Sequence, residues 1–320
     1  DRVRFVGEPI AVVVAETAAQ AEDAAEAIWA DVEPLPAVVN VADAVAAETL
    51  LFPDRGDNVM WEIPAKETID FSECEVVVTK EFWNSRVAAV SIEPRVAAAS
   101  YKDGRLTCWA SSQGAHDHRN DVAACLGMEP GDVRTIVKDI GGGFGAKGMV
   151  SEEEIVVGHL ARLMGRPVRW VENRTENLTG YVHGRAQAQT VTIGGTRDGQ
   201  VTHYRLQVVQ DSGAYPKWGA YLAEFTRNLA TGVYDFPNVE FSAVSVATNT
   251  APTCAYRGAG RPEATAAVER AMDLFAVEIG MDPTEVRRRN FVPPEAFPYK
   301  TATGTSMDSG NYEGTMDQAL

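Results

Sequence analysis

The sequence predicts a mixed α and β fold, and three observations carry that prediction. β-branched runs recur along the chain, at residues 74–82, 133–140 and 188–209. Between them stand helix-start signatures: Thr17 with Gln20, Ser151 with Glu154, and Asp282 before Pro283. Each places a side-chain acceptor beside the free N–H groups of a first helical turn. Glycines punctuate the two kinds of segment at Asp103-Gly104, Gly127, Gly165 and Asp198-Gly199, where hairpin turns and helix C-caps need positive φ.

Taken in order, Val3–Val6 and Ile10–Ala15 read as strands joined by Gly7-Glu8-Pro9, and an Ala-rich helix runs from Thr17 to about Ile28. Trp29–Val39 reads as an edge strand, because Pro34 and Pro36 remove ladder donors. A polar, irregular stretch from about 48 to 66 places a domain boundary. Strands are expected at 74–82 and at Ala88–Tyr101, the latter turning at Asp103-Gly104 into Leu106–Ala110. Ser111-Ser112-Gln113-Gly114 ends that strand, and a helix follows from about His116 to Leu126. Val133–Ile140 is a strand, and Ser151 opens a helix to about Met164. Strands at 168–172 and 188–209 precede an irregular aromatic segment through Tyr215, Trp218, Tyr221 and Phe225. A strand near Phe241–Thr248 leads to helices at about Glu263–Glu278 and from Asp282 onward.

Composition narrows the function classes. With 45% hydrophobic and 23% charged residues the chain reads as globular. A net charge of −16 argues against a nucleic-acid backbone as partner. No apolar run approaches the roughly 20 residues that span a bilayer. Cys74, Cys108, Cys125 and Cys254 form no CxxC pair, so zinc or iron–sulfur binding by this chain is not expected, and free thiols in a reducing compartment are. The chain opens at Asp1 within what reads as a strand, and a fragment or processed form is expected.

The most informative stretch is Arg134–Lys147, where a β-rich run ends in Gly141, Gly142, Gly143 and Gly145 around Phe144. Such a cluster marks a backbone that turns tightly or approaches a ligand, and its N–H groups can form an anion site. One reading is dinucleotide binding: Gly143-Phe-Gly145-Ala-Lys-Gly148 is a G-x-G-x-x-G, and Glu172 ends the next strand where a ribose-binding acid would sit. The extra glycines and a helix start only at Ser151 weaken it. A P-loop fails because Gly148 follows Lys147 where Ser or Thr is required, and there is no G-x-S-x-G nucleophile elbow. His116 and His118 cannot share a helix face as metal ligands. Asn173 and Asn177 are glycosylation sequons by letter only, and Glu152-Glu153-Glu154 reads as a dipole-favoured first turn.

A set of motifs taken together says more. Val6-Gly-Glu-Pro9, Ile92-Glu-Pro-Arg95, Ser111-Ser-Gln113, Gly141–Lys147, Thr248-Asn-Thr250, Ala255-Tyr-Arg-Gly-Ala-Gly-Arg261 and Asp282-Pro283 with Arg287–Asn290 occur in one order over essentially the whole chain. In these the sequence resembles the molybdopterin-binding large subunit of the xanthine oxidase, aldehyde oxidase and carbon monoxide dehydrogenase-like molybdenum hydroxylases.

The resemblance implies that residues 1–50 are the C-terminal part of an α/β hammerhead domain and 51–70 a linker. Residues 71–295 would be the first molybdenum-cofactor-binding domain, and 296–320 the start of a connection to a second. It implies that Gln113 hydrogen-bonds an oxygen on molybdenum, and that the main chain at Phe144 and Arg257 lies against metal and pterin without ligating the metal. Gly142, Gly143, Gly145 and Gly258 would form the cofactor walls, with Gly148 and Ala259 at the substrate pocket. The implied cofactor is molybdenum–molybdopterin, in its cytosine dinucleotide form. [2Fe-2S] clusters and FAD are expected on an iron–sulfur small subunit and a flavin-binding medium subunit, in a cytoplasmic hetero-oligomer that could be a dimer of heterotrimers. The family activity is hydroxylation of an aldehyde or N-heterocycle C–H with water as oxygen source.

Departures matter too. Purine-hydroxylating members carry Glu where Gly148 stands and Phe where Ala259 stands, and copper-linked carbon monoxide dehydrogenases carry Cys where Gly258 stands. Purines and carbon monoxide are therefore not expected as substrates. The family's general-base glutamate has no counterpart here, so no catalytic residue is assigned. Two alternatives stay open: a nicotinamide dinucleotide-binding dehydrogenase, and the non-catalytic half of a split molybdenum hydroxylase subunit.

Overall fold

The structure, a computed structural model, describes residues 2–320. Helix α1 (Ala18–Glu26) starts where expected, with the Thr17 side chain accepting from Gln20 N–H and Gln20 returning the bond. Helix α2 (Val41–Ala46) is capped by Asn40 in the same way, through Asp43 N–H. The strands expected at 3–6, 10–15 and 29–39 are not there: these segments have no ladder partners among the described residues. A β-branched run becomes a strand only when a second strand satisfies its N–H and C=O groups. Here Val6, Ile10, Val12, Trp29 and Val32 stay exposed.

The remaining elements follow as β1 (Val59–Ile63), β2 (Val76–Asn84), β3 (Val87–Ala88), β4 (Val96–Lys102), β5 (Arg105–Ala110), α3 (Ala115–Leu126), β6 (Val133–Ile136), α4 (Glu152–Met164) and β7 (Val168–Val171). Then come α5 (Arg174–Gly180), β8 (His183–Gly184), β9 (Gln187–Gly195), β10 (Val201–Asp211), α6 (Leu222–Asn228), β11 (Asn238–Val246), α7 (Arg261–Ile279) and α8 (Pro283–Asn290). The chain closes with β12 (Tyr299–Lys300), β13 (Ser306–Met307) and α9 (Tyr312–Ala319).

Two sheets carry the fold, which is mixed α and β as predicted. The four-stranded sheet has the order β6-β5-β4-β7. β4 and β5 form an antiparallel hairpin whose turn residues, Asp103 and Gly104, sit at φ 50° and 80°. Helix α3 carries the chain from β5 over to the parallel β6. Ala99, Leu106, Cys108, Val122, Val133, Val157 and Ala161 form the core between this sheet and α3 and α4.

The five-stranded sheet has the order β1-β11-β10-β9-β2. Helix α7 packs against it with Ala264, Ala267, Val268, Ala271, Met272, Phe275 and Ala276 buried. That spacing of three and one repeats along one helix face. Met272 and Phe275 are fully buried and contribute roughly 1.5–3 kcal/mol each.

Several expectations are corrected by these elements. The polar stretch 48–66 contains β1, which pairs antiparallel with β11. The strand expected over Ala88–Tyr101 is broken: residues 89–95, with Val90 at φ 43°, separate β3, which pairs with β8, from β4 of the four-stranded sheet. β6 stops at Ile136, short of Ile140. Residues 215–225, expected to be irregular, hold a 3₁₀ turn at Trp218–Tyr221 and the start of α6. The sequon region forms α5, with Asn173 as its N-cap and Asn177 buried.

Candidate functional site

Three chain breaks meet on one face. Gln113 lies between β5 and α3, the glycine run 141–148 lies between β6 and α4, and the loop 255–260 precedes α7. Gly145 N–H donates to Gln113 Oε1 at 2.8 Å, and Gln113 N–H donates to Lys147 O at 2.9 Å. Arg257 N–H donates to Phe144 O at 2.9 Å, which joins the two glycine loops. The structure thus brings Gln113, Phe144 and the Arg257 main chain together.

The glycines are required by packing within the protein. A Cβ on Gly143 would sit 2.5 Å from Gln113 Oε1, and one on Gly145 would sit 2.7 Å from Ala255 O. A Cβ on Gly142 would meet the Phe144 ring at 2.9 Å, and one on Gly141 would meet Glu93 Cβ at 2.4 Å. Gly142 and Gly145 also sit at φ 100°, a region L side chains avoid. In the second loop a Cβ on Gly258 would strike Pro262 at 2.6 Å. Gly148 differs, with open space where its Cβ would be. Phe144 and Ala259 hold φ of 53° and 41°, unusual for residues with a side chain.

Residues just before β4 and just after β5 support the glycine run. Lys147 is buried, and its Nζ donates to Glu93 O and Ser111 Oγ at 2.7 Å each and to Glu93 Oε2 at 3.3 Å. Glu93 Oε2 also accepts from Gly141 N–H at 2.7 Å and from Ser111 Oγ at 2.8 Å. Burial disfavours the Glu93 anion, yet the Gly141 N–H, the Ser111 hydroxyl and the Lys147 ammonium hold its carboxyl below the usual range. Burial lowers Lys147, with Glu93 partly offsetting it. Glu93 and Lys147 were motif letters in the sequence; their joint role as a brace was missed, since only the fold brings the two together.

Glu172 settles the dinucleotide reading, which is overturned. Its side chain is buried and accepts from Arg95 N–H at 2.8 Å, Arg95 Nε at 2.9 Å and Asn177 Nδ2 at 2.8 Å. No carboxylate oxygen is left to face a ribose. The three first-turn glutamates also have individual tasks: Glu152 pairs with Lys217 at 2.7 Å, Glu153 with Arg95 at 2.5 Å, and Glu154 accepts Ser151 N–H at 2.7 Å. His118 is buried against Thr135 Oγ1 at 3.0 Å, while His116 is exposed.

The face can take an anionic, oxygen-bearing group. Because Gly145 N–H must meet an oxygen, the Gln113 amide is oriented with Oε1 inward. Gln113 is exposed, and its Nε2 donates to nothing among the described residues. The N–H groups of Gly143, Phe144 and Gly258 and the exposed Arg257 guanidinium also have no acceptor among the described residues. Among the described residues no group of three or more His, Cys, Asp and Glu comes together as a metal site. A cavity of about 840 Å³ opens elsewhere, between residues 7–21 and the α4–β7 edge. No helix among the described residues is long and apolar enough to cross a membrane.

The site is thus two glycine loops interlocked by a strand-end glutamine, with main-chain donors turned outward. Residues 51–291 match the family model described as the molybdopterin cofactor-binding domain, and the chain belongs to that family. It is 34% identical to the nicotine 6-hydroxylase large subunit of Paenarthrobacter nicotinovorans over 99% of this chain and 40% of that protein. It is 31% identical to the nicotinate dehydrogenase large molybdopterin subunit of Eubacterium barkeri, over 97% of this chain and 72% of that one. The crystal structure of quinoline 2-oxidoreductase from Pseudomonas putida 86 superposes with a TM-score of 0.94 at 34% identity, over 99% of this chain and 41% of that one. The chain therefore spans about two fifths of the length of the nicotine and quinoline relatives.

Proposed function

We propose that this chain is the cofactor-holding part of a molybdenum hydroxylase large subunit. In this reading the complete enzyme hydroxylates an aldehyde or N-heterocycle C–H with water as oxygen source. Electrons pass to [2Fe-2S] and FAD groups on small and medium partner subunits. The observation that carries the reading is the junction of Gln113, Phe144 and Arg257 by two main-chain hydrogen bonds of 2.8 and 2.9 Å. When bound, a molybdenum–pterin group supplies the two-electron redox chemistry and activation of the water-derived oxygen.

This chain's residues then hold and orient. Gln113 Nε2 and the N–H groups of Gly143, Phe144 and Gly258 would hold the group by donating to its anionic oxygens, each such bond contributing about 1.5–3 kcal/mol. Gly142 and Gly145 form the wall, and the cytosine dinucleotide form of the cofactor is the one proposed. Gly148 and Ala259 border the substrate side, where small residues favour an aldehyde or a flat heterocycle over a purine gripped by Glu and Phe. Copper-type carbon monoxide chemistry is disfavoured too, since Gly258 has no thiol to bind copper. The setting proposed is a cytoplasmic hetero-oligomer, with the general base outside the residues assigned.

The test is elemental analysis and pterin release from the complex expressed with its partners. Molybdenum near one per large subunit is expected, and its absence overturns the proposal. A second reading, a naturally split large subunit, is favoured by one observation. The chain covers 72% of the nicotinate dehydrogenase subunit but about 40% of the other relatives, so that relative is much shorter than they are. Co-purification of a second molybdopterin-binding chain would support it; a single continuous large subunit would end it.

A further inference from the structure

Behind the second glycine loop lies a charged pair that neither the motifs nor the family match assigns. Arg185 donates from Nη1 to Tyr256 O and from Nη2 to Arg257 O, both at 2.9 Å, and its guanidinium stacks 4.9 Å from the Tyr256 ring. A planar two-armed donor fits two successive carbonyls as an ammonium cannot. The same Nη1 that donates to Tyr256 O also lies 3.6 Å from Glu263 Oε1. Glu263 is fully buried, and neither carboxylate oxygen has a hydrogen-bond partner. A buried carboxylate without hydrogen bonds is costly and normally absent unless something requires it.

The backbone around Arg185 is unusual as well. Arg185 and Ala186 both sit at φ 65°, and two successive non-glycine residues in that region are strained. Gln210 holds them there, its Nε2 donating to Arg185 O at 3.0 Å and to Ala186 O at 3.3 Å. The strain aims the Arg185 side chain at the loop. From there one connected path runs forward: Arg185 grips Arg257 O, Arg257 N–H grips Phe144 O, and the neighbouring Gly145 N–H grips Gln113 Oε1.

We infer that Arg185 and Glu263 are positioning residues for the cofactor face. Arg185 fixes the direction of the Tyr256 and Arg257 peptides, and Glu263 compensates its charge. Neither touches the cofactor; they act through the Arg257 loop. The inference rests on the molybdenum hydroxylase reading proposed above.

The test uses the assembled, molybdenum-loaded complex with R185K and E263Q. Lysine keeps the charge but cannot bridge both carbonyls, and glutamine keeps the volume without the charge. R185K is expected to load molybdenum and melt as the parent does, with kcat lowered roughly 10- to 100-fold, KM little changed, and a shifted Mo(V) electron paramagnetic resonance signal. Unchanged kcat and spectrum would overturn the inference, as would activity lost only in proportion to lost molybdenum or lowered melting temperature. If R185K fails to assemble, E263Q decides by the same readouts. A parent complex without molybdenum overturns the molybdenum reading and this inference with it, whereas a loaded parent beside unaffected variants overturns this inference alone.

Discussion

Gly145 N–H donates to Gln113 Oε1 at 2.8 Å while Gly143, two residues earlier, leaves no room for a Cβ against that same oxygen. The glutamine and the glycine run are therefore parts of one interlock. Turning Oε1 inward leaves Nε2 as the outward donor, so the polarity of the face follows from a contact inside the protein.

A graded glycine series tests the interlock. Gly145→Ala meets a backbone oxygen at 2.7 Å and forces an alanine to φ 100°, which should destabilise by about 1–3 kcal/mol. Gly143→Ala displaces a side chain, which can yield, and should cost about 1 kcal/mol for the lost hydrogen bond. Gly148→Ala meets nothing within 4 Å and should be neutral. Urea unfolding of the complete subunit reads the order; equal effects at all three would refute the packing account.

How much of this was legible beforehand depended on the distance between cause and effect along the chain. The caps at Thr17, Asn173 and Asp282 act within three residues, although Asn173 was passed over as a sequon. Gln113, Phe144 and Arg257 were legible as motifs in order, whereas their contacts were not. β1 was hidden because Val59–Ile63 sits among Pro, Gly and Asp and becomes a strand only by pairing with the distant β11. Conversely, 3–15 had strand letters but gained no ladder. A glycine letter says that a Cβ is missing, never which neighbour would have met it.

The buried cluster around Arg95 makes a second prediction. Arg95 is 3% exposed, pairs with Glu153 and Glu172 at 2.5 Å each, and stacks 4.1 Å from the Tyr181 ring. Glu172→Ala removes the fully buried partner and leaves Arg95 under-compensated, a loss on the order of 3–5 kcal/mol. Replacing both, as Arg95→Met with Glu172→Leu, should cost clearly less than the sum of the single changes. Additivity in a double-mutant cycle would show that the pair is not coupled.

Thiol labelling checks the cysteine environments. Cys108 is buried, and burial together with nearby Glu154 pushes its thiol up to about 12. Cys254 is also buried, and burial raises it despite a backbone hydrogen bond and Lys217. Cys125 is exposed. Since the thiolate is the reactive form, iodoacetamide at pH 8 should modify Cys125 first and reach Cys108 and Cys254 only in denaturant. Early modification of Cys108 in the folded protein would contradict its placement.

Glu93 sets the acid response of the glycine run. Burial works against its anion, but the Gly141 N–H, the Ser111 hydroxyl and the Lys147 ammonium outweigh burial and hold its carboxyl below the unfolded value. A depressed carboxylate stabilises the fold above its unfolded pKa, about 4.3, and that contribution fades as pH falls through the lower folded value. Glu93→Gln cannot accept as an anion from three donors, so it should be less stable than the parent at pH 7. The gap should close as pH falls below about 4, when the parent carboxyl also becomes neutral. Urea midpoints from pH 3 to 7 read this directly. A gap that stays constant across that range would mean that Glu93 braces the loop by shape alone, with no part played by its charge.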